Sequence, residues 1–182
     1  MTVLRDIVET FLRLMRAEVH GGAVLVPPDD VFEVAKVPSL VVQGPMVAEN
    51  GARRCPGRLL VTDAAAAGFT DQAHPRLYHL DFDLIATAGD GAALLDLQEK
   101  VARFFQAHTV LPVGESGTLN LTLLTPLGGL RRVNLSNLRQ ASGRCRVEDC
   151  PVFAGTATSG KLIHTRIFEF GGGVDETAVF NA

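Results

Sequence analysis

The fold is decided by one continuous stretch, residues 77–108, whose sequence is LYHLDFDLIATAGDGAALLDLQEKVARFFQAH. Up to Ala86 the apolar and polar residues alternate, which predicts a strand with one buried face. Beyond Asp90 the apolar residues recur every three or four positions as far as His108, which predicts an amphipathic helix with Asp90 as its N-cap. A strand that is joined to a helix by a short turn forms a unit in which the helix can pack on the strand. This stretch therefore indicates architecture and carries no evident catalytic apparatus.

The rest of the chain contains more predicted strands than helices. A second helical stripe covers residues 3–15, and the pair Gly21-Gly22 lies beyond its end. Apolar runs or two-residue alternation predict further strands at residues 24–26, 39–43, 58–62, 118–125, 143–148 and 161–170. Because turns connect most of these strands, the sequence predicts an α+β fold with a mainly antiparallel sheet and two amphipathic helices packed on it.

The segments between these elements are predicted as loops and turns. Gly44-Pro45 is expected to end the strand at 39–43, and Pro126 is expected to end the strand at 118–125. We expect a single domain over residues 1–170, followed by a flexible C-terminal tail at 171–182. The predicted connections are long loops at 44–57 and 63–75, turns at 112–117 and 154–160, and a short helix around 134–140.

The composition is that of a folded globular protein. Of the 182 residues, 47% are hydrophobic and 20% are charged, which excludes an intrinsically disordered chain. Apolar runs are far shorter than the roughly 20 residues of a membrane helix, and the charges within residues 3–15 argue against a signal peptide. Three cysteines at irregular spacing do not suggest a disulfide framework, so a reducing cytoplasm is expected. A net charge of −3 and the absence of Trp argue against extensive nucleic-acid binding.

One face of the predicted strand at 77–88 carries His79, Asp81 and Asp83. Neighbouring side chains on such a face are about 7 Å apart, so these groups have the chemistry of a divalent-metal site or of an acid–base pair. The alternative is a polar face that is exposed to water or packed against a partner subunit, which an alternating strand always provides. The alternative is favoured, and neither a metal nor a cofactor is expected.

The cysteines offer two further chemical hypotheses. Cys145 and Cys150 are separated by four residues, a tolerable spacing for half of a zinc site, but no second cysteine pair exists. Cys55 is far away in sequence, and His164 would complete the ligand set only if the fold happened to bring it close. A cysteine nucleophile needs a histidine base held by a third group, and no local signature indicates one. Residues 114–117 lack the spacing of a serine nucleophile elbow. We therefore expect a buried thiol at Cys145, a turn thiol at Cys150 and no catalytic residue.

An uneven charge distribution suggests contacts with partners. Residues 130–146 contain five arginines and no acidic residue, and guanidinium groups suit contacts with phosphate or with acidic patches on another protein. Opposite charges on separate patches of one subunit would steer copies into register. The alternative is that these charged groups are merely solvated. The interface candidates are Arg131, Arg132 and Arg139, opposed by Asp81 and Asp83, with Val179 and Phe180 of the tail as a docking arm.

Three parts of the chain carry a resemblance to a known family. They are the helix around Ile7, Phe11 and Leu14, the run 76–84 that leads into the helix containing 94–101, and the C-terminal segments 147–153 and 160–170. In these parts the chain resembles the tail-terminator, or tail completion, proteins of long-tailed bacteriophages and of phage-derived tails.

The resemblance implies a non-enzymatic subunit of a homo-hexameric ring. Such a ring would cap the tail tube, stop its polymerisation and join it to the neck or head. The implied partners are further copies of the chain, the tail tube protein and neck or head-completion proteins, with DNA passing through the ring lumen and no membrane partner. The protein would be assembled in the host cytoplasm and found in the tail or neck of the virion.

Three other functions stay open at this point. Related rings at the neck or at the baseplate would share the same pattern. A metal-binding or metal-dependent enzyme domain would use the His79, Asp81 and Asp83 face. A small-molecule binding module would need a sizeable apolar pocket between sheet and helix.

Overall fold

A computed structural model describes residues 3–63, 68–114, 117–132, 137–155, 157–161, 165–168 and 178–181. Its Cα positions group into two compact units. The first unit comprises Met1–Arg54 with Arg76–Val152, and the second comprises Cys55–Pro75 with Phe153–Ala182. A single domain over residues 1–170 stays a prediction.

Both predicted helices are present in the first unit. Helix α1 spans Val3–Glu18 and helix α2 spans Gly91–Ala107. The N-cap prediction is confirmed, because a carboxylate oxygen of Asp90 accepts a hydrogen bond of 2.8 Å from the backbone N–H of Ala93. Helix α2 ends at Ala107 with His108 as its C-cap.

The described strands form three sheets. In chain order they are β1 (Val24–Val26), β2 (Ser39–Glu49), β3 (Arg58–Asp63), β4 (Gly68–Ala73), β5 (Arg76–Ala88), β6 (Val110–Pro112), β7 (Thr118–Arg132), β8 (Arg139–Val152), β9 (Thr158–Lys161), β10 (Thr165–Phe168) and β11 (Ala178–Asn181). The first unit holds a six-stranded sheet of order β1-β2-β5-β8-β7-β6, in which only the β1–β2 pair is parallel. The second unit holds the sheets β3-β4-β9 and β10-β11, both antiparallel. The predicted α+β class with a mainly antiparallel sheet is confirmed.

The core of the first unit lies between the two helices and one face of the six-stranded sheet. The apolar positions predicted for the central strand are all fully buried: Leu80, Phe82, Leu84 and Ala86. The ring centroid of Phe11 on α1 lies 5.1 Å from that of Phe82 and 6.4 Å from that of Phe104 on α2. The opposite face of the sheet, called the outer face below, therefore carries the remaining residues of β5, including Asp81 and Asp83.

Two prolines that were expected to end strands do not end them. Strand β2 continues through Gly44-Pro45 to Glu49, and the β2–β5 register shifts between Gln43 and Met46. Gly44 has φ of +145°, and a Cβ there would lie 2.8 Å from the carbonyl oxygen of Asp81. Strand β7 likewise continues past Pro126 through several register shifts. Both prolines are tolerated because the pairing is irregular where they lie.

Several predicted connections are strands in the structure. Residues 68–73, placed in the loop at 63–75, form β4, while residues 64–67 lie outside the described residues. The predicted helix around 134–140 is wrong at its end, because residues 139 and 140 begin β8, and residues 133–136 are not described. The turns at 112–117 and 154–160 are partly replaced by β6 and β9.

The predicted C-terminal strand and tail are described only in part. The strand at 161–170 corresponds to the end of β9 and to β10, and residues 162–164 and 169–170 lie outside the described residues. Of the predicted tail, residues 171–177 and 182 lie outside them too, and residues 178–181 form β11.

Candidate interaction surfaces

Two ion pairs lie side by side on the outer face of the sheet. The β5–β8 register places Asp81 opposite Arg146 and Asp83 opposite Arg144. Arg146 donates hydrogen bonds of 2.6 and 2.9 Å to the two carboxylate oxygens of Asp81. Arg144 donates hydrogen bonds of 2.8 and 3.4 Å to the two oxygens of Asp83. We call these four residues the ion-pair ladder.

The two pairs of the ladder differ in solvent exposure. The side chains of Asp81 and Arg146 are 15% and 30% exposed, whereas those of Asp83 and Arg144 are 35% and 47% exposed. The hydrogen bond from Arg146 is the largest influence on Asp81 and holds the pKa of that carboxyl below its usual value, although desolvation opposes it. Asp81 is therefore ionised and already has a partner within its own chain.

The ion-pair ladder bears on the metal-site hypothesis for His79, Asp81 and Asp83. Both carboxylates are bound by arginines, and no group of three or more metal-ligating side chains comes together within the described residues. The third member of the proposed metal set, His79, accepts a hydrogen bond of 3.4 Å at Nδ1 from the backbone N–H of Asp149. The outer face thus presents a charge-paired stripe.

The arginine-rich segment at 130–146 is divided between two strands. Arg131 and Arg132 lie in β7, paired with Gln140 and Arg139 of β8, and the side chains of the first two are outside what the structure describes. Arg139 is exposed. Its Nη1 lies beside the start of α2, 2.5 Å from the position that a Cβ on Gly91 would occupy. The remaining two arginines of the segment belong to the ladder, so that part of its charge is compensated by β5.

The predicted docking arm has a strand conformation at its described end. Val179 and Phe180 lie in β11, opposite Ile167 and Arg166 of β10. Their side chains are not described. An arm role for these two residues stays a prediction, as do the interface roles of the five charged candidates.

The two cysteines of the zinc hypothesis are both buried in β8. Cys145 is a core thiol as predicted, and burial raises its pKa far above the usual value. Cys150 was expected in a turn, but it lies in the strand, and burial raises its pKa to about 12. Thiols in this environment stay protonated, whereas metal ligation and nucleophilic attack need the thiolate. Cys55 is exposed and belongs to the second unit.

A cluster at the end of β2 was missed by the sequence analysis. Glu49 lies between two arginines, with Oε1 3.3 Å from Arg54 Nε and Oε2 3.9 Å from Arg76 Nη1. Beside it, Arg53 Nη1 lies 2.7 Å from Asp149 Oδ2. The sequence offered one signal, the Arg53-Arg54 run, but the prediction placed it in an undifferentiated loop. We call Arg53, Arg54 and Arg76 the basic cluster.

An apolar groove adjoins this cluster on the helix side of the sheet. It has a volume of about 330 Å³ and lies between α1 and β2, with Arg5 and Glu9 of α1 at its rim. Val47 of β2 is 52% exposed there. The apolar lining residues are Leu4, Val8, Leu25, Pro45, Val47 and Leu80.

Comparison with solved structures finds a likeness in fold. The structure matches the sheath/tube terminator of an extracellular contractile injection system, PVC, determined by cryo-EM in the extended state, with a TM-score of 0.55 and 12% sequence identity. The match covers 96% of this chain and 64% of the solved chain, so this chain spans less than two thirds of that protein. No family model and no curated protein sequence matches the chain.

The likeness concerns the fold. At 12% identity it shows that the chain has a terminator-like α+β architecture, and this supports the coarse part of the family resemblance seen in the sequence. Among the described residues, no helix is long and apolar enough to cross a membrane.

Proposed function

We propose that the chain is a structural, non-enzymatic subunit of a phage-like tail, which forms a ring that caps the tail tube and joins it to the neck or head. The observation that carries this proposal is the likeness to a sheath/tube terminator over 96% of the chain. The polar outer face and the open groove beside α1 are surfaces of the kind that an assembly subunit needs for contacts with neighbours.

The proposed partners come from the family resemblance in the sequence, and the likeness to a sheath/tube terminator supports those of the tube and sheath. They are five further copies in a hexameric ring, the tail tube protein, the sheath protein where the tail is contractile, and neck or head-completion proteins. DNA would pass through the ring lumen in a phage. The protein would be part of the tail or neck of the particle after assembly in the host cytoplasm.

Native mass spectrometry of the full chain tests ring formation. A hexamer would have six times the 19.4 kDa mass of the chain, and electron microscopy of the same sample would show rings. Coexpression with a tail tube protein of the same particle tests capping, because a terminator would limit the length of tubes that otherwise continue to grow. A monomer at all concentrations, together with unchanged tube length, would contradict the proposal.

The charged interface candidates make a separate test within this proposal. If Arg131, Arg132 and Arg139 contact a neighbouring subunit, the double reversal Arg131→Glu with Arg132→Glu weakens the ring, and added salt weakens the wild-type ring. Circular dichroism must show that the variant is folded. Rings that form normally from the folded variant would mean that these arginines are merely solvated.

A further inference from the structure

We propose that the groove between α1 and β2 receives residues 29–34 of a second copy of this chain, with Val31 in the groove and Glu33 against Arg54 and Arg76. This inference rests on the proposed ring and identifies the contact that builds it. The acceptor surface is the groove together with the basic cluster, and the donor segment is the stretch 29–34.

The donor segment is held by hydrogen bonds at its start, and four of its six residues, Asp29, Asp30, Val31 and Glu33, are exposed. The side-chain amide of Gln43 donates to the carbonyl oxygens of Pro27, Pro28 and Asp30, at 3.3, 2.9 and 3.1 Å. Beyond these hydrogen bonds Val31 is 97% exposed, so its side chain is accessible to a second copy. The sequence of the segment is Asp-Asp-Val-Phe-Glu-Val, which combines three acidic residues with three apolar ones.

The acceptor surface has the complementary chemistry. Its apolar part is the groove, and its charged part contains three exposed guanidinium groups against two carboxylates, those of Glu49 and Asp149. The side chains of Arg53, Arg54 and Arg76 are 66%, 56% and 55% exposed. Each guanidinium has five N–H donors, so donors remain available for the carboxylates of a partner.

The spacing of the two surfaces also agrees. Val47 in the groove and Glu49 beside the arginines are two residues apart on one face of β2, a separation of about 7 Å. In an extended segment, Val31 and Glu33 have the same separation. A segment aligned with β2 that inserts Val31 beside Val47 therefore brings Glu33 to Arg54 and Arg76.

In this structure the chain does not make the contact with itself, since Val31 is 97% exposed. The anchor Gln43 pairs with Asp83 on the outer face of the sheet, whereas Val47 pairs with Leu80 on the helix face. The root of the donor segment and the groove thus lie on opposite faces of the same sheet. A contact between two different patches on identical subunits is heterologous, and heterologous contacts generate rings when the rotation closes.

Charge reversal with complementation tests the inference on the full chain. One variant carries Asp30→Lys with Glu33→Lys, and the other carries Arg54→Glu with Arg76→Glu. Each variant alone is expected to raise the dissociation constant of the ring at least about tenfold, because like charges then face each other across the contact. In a 1:1 mixture every contact is again between opposite charges, so rings of alternating variants are expected to reappear in native mass spectra.

Two further variants control for folding and for total charge. Val31→Asp changes a side chain that is already exposed, leaves the fold intact and is expected to abolish the ring because it places a carboxylate in the groove. Arg13→Glu with Lys100→Glu makes the same change in net charge as the acceptor variant at exposed positions of α1 and α2, and is expected to keep the ring.

The outcomes separate this inference from the proposed function. If the wild type forms rings and both reversals and Val31→Asp form them equally well, the inference is wrong while the ring function stands. It is also wrong if both reversals dissociate the ring but their mixture fails to restore it, or if the reversals affect only tube binding. A wild type that never assembles would overturn the proposed function itself.

Discussion

The ion-pair ladder allows a quantitative prediction from the exposure and hydrogen bonding of its two pairs. Exposed ion pairs contribute roughly 0.2–1 kcal/mol, whereas breaking a fully buried pair costs about 3–5 kcal/mol. The Asp81–Arg146 pair lies between these limits, with side chains 15% and 30% exposed and two short hydrogen bonds. We expect a coupling free energy of about 1–2 kcal/mol for this pair. For Asp83–Arg144, which is more exposed, we expect less than about 1 kcal/mol.

Urea unfolding of two double-mutant cycles measures these couplings. Each cycle uses the two single alanine variants and the double variant, at one fixed protein concentration because assembly adds apparent stability. The Asp83–Arg144 cycle is the matched control, since it has the same chemistry on the same two strands. A coupling for Asp81–Arg146 no larger than that for Asp83–Arg144 would refute the reasoning that burial sets the strength of the ladder.

Three further predictions concern stability. The pKa of Asp81 is lowered in the folded chain, so its ionised carboxylate contributes to the free energy of unfolding above the unfolded-state pKa of about 4. This contribution is lost as pH falls through the folded-state pKa. The stability difference between wild type and Asp81→Asn should therefore shrink below about pH 4 in acid titrations followed by circular dichroism. Phe82→Ala, at a fully buried position, should cost about 3–5 kcal/mol in urea unfolding. Gly44→Ala should cost about 1–3 kcal/mol, because φ is +145° and its Cβ would meet the Asp81 carbonyl; an unchanged midpoint for either substitution would contradict the packing described.

The elements predicted correctly from the sequence are those that depend on local periodicity. The alternation in β5 and the helical stripe of α2 each reflect one buried face, and the cap at Asp90 depends on residues only three positions apart. Such signals are complete within a short window of sequence. For the same reason the α+β class could be predicted.

The misplaced elements depend on distant partners. Strand β4 has the sequence GFTDQA and is half-buried throughout, because β3 and β9 flank it and neither face is fully covered, so no alternation marks it. The ladder joins residues 61 and 65 positions apart in sequence. In the sequence, the arginines of residues 130–146 therefore have no acidic residue nearby, although in the structure β5 supplies carboxylate partners for two of them. The groove and the basic cluster, likewise, exist only once α1, β2 and β5 are assembled.

We propose above that this chain terminates a tail tube. The most direct measurement is electron microscopy of isolated tails that carry an affinity label on this chain. The account predicts label at one end of each tube, in a single ring-shaped layer. Label spread along the tube, or intact capped tails without the chain, would contradict it.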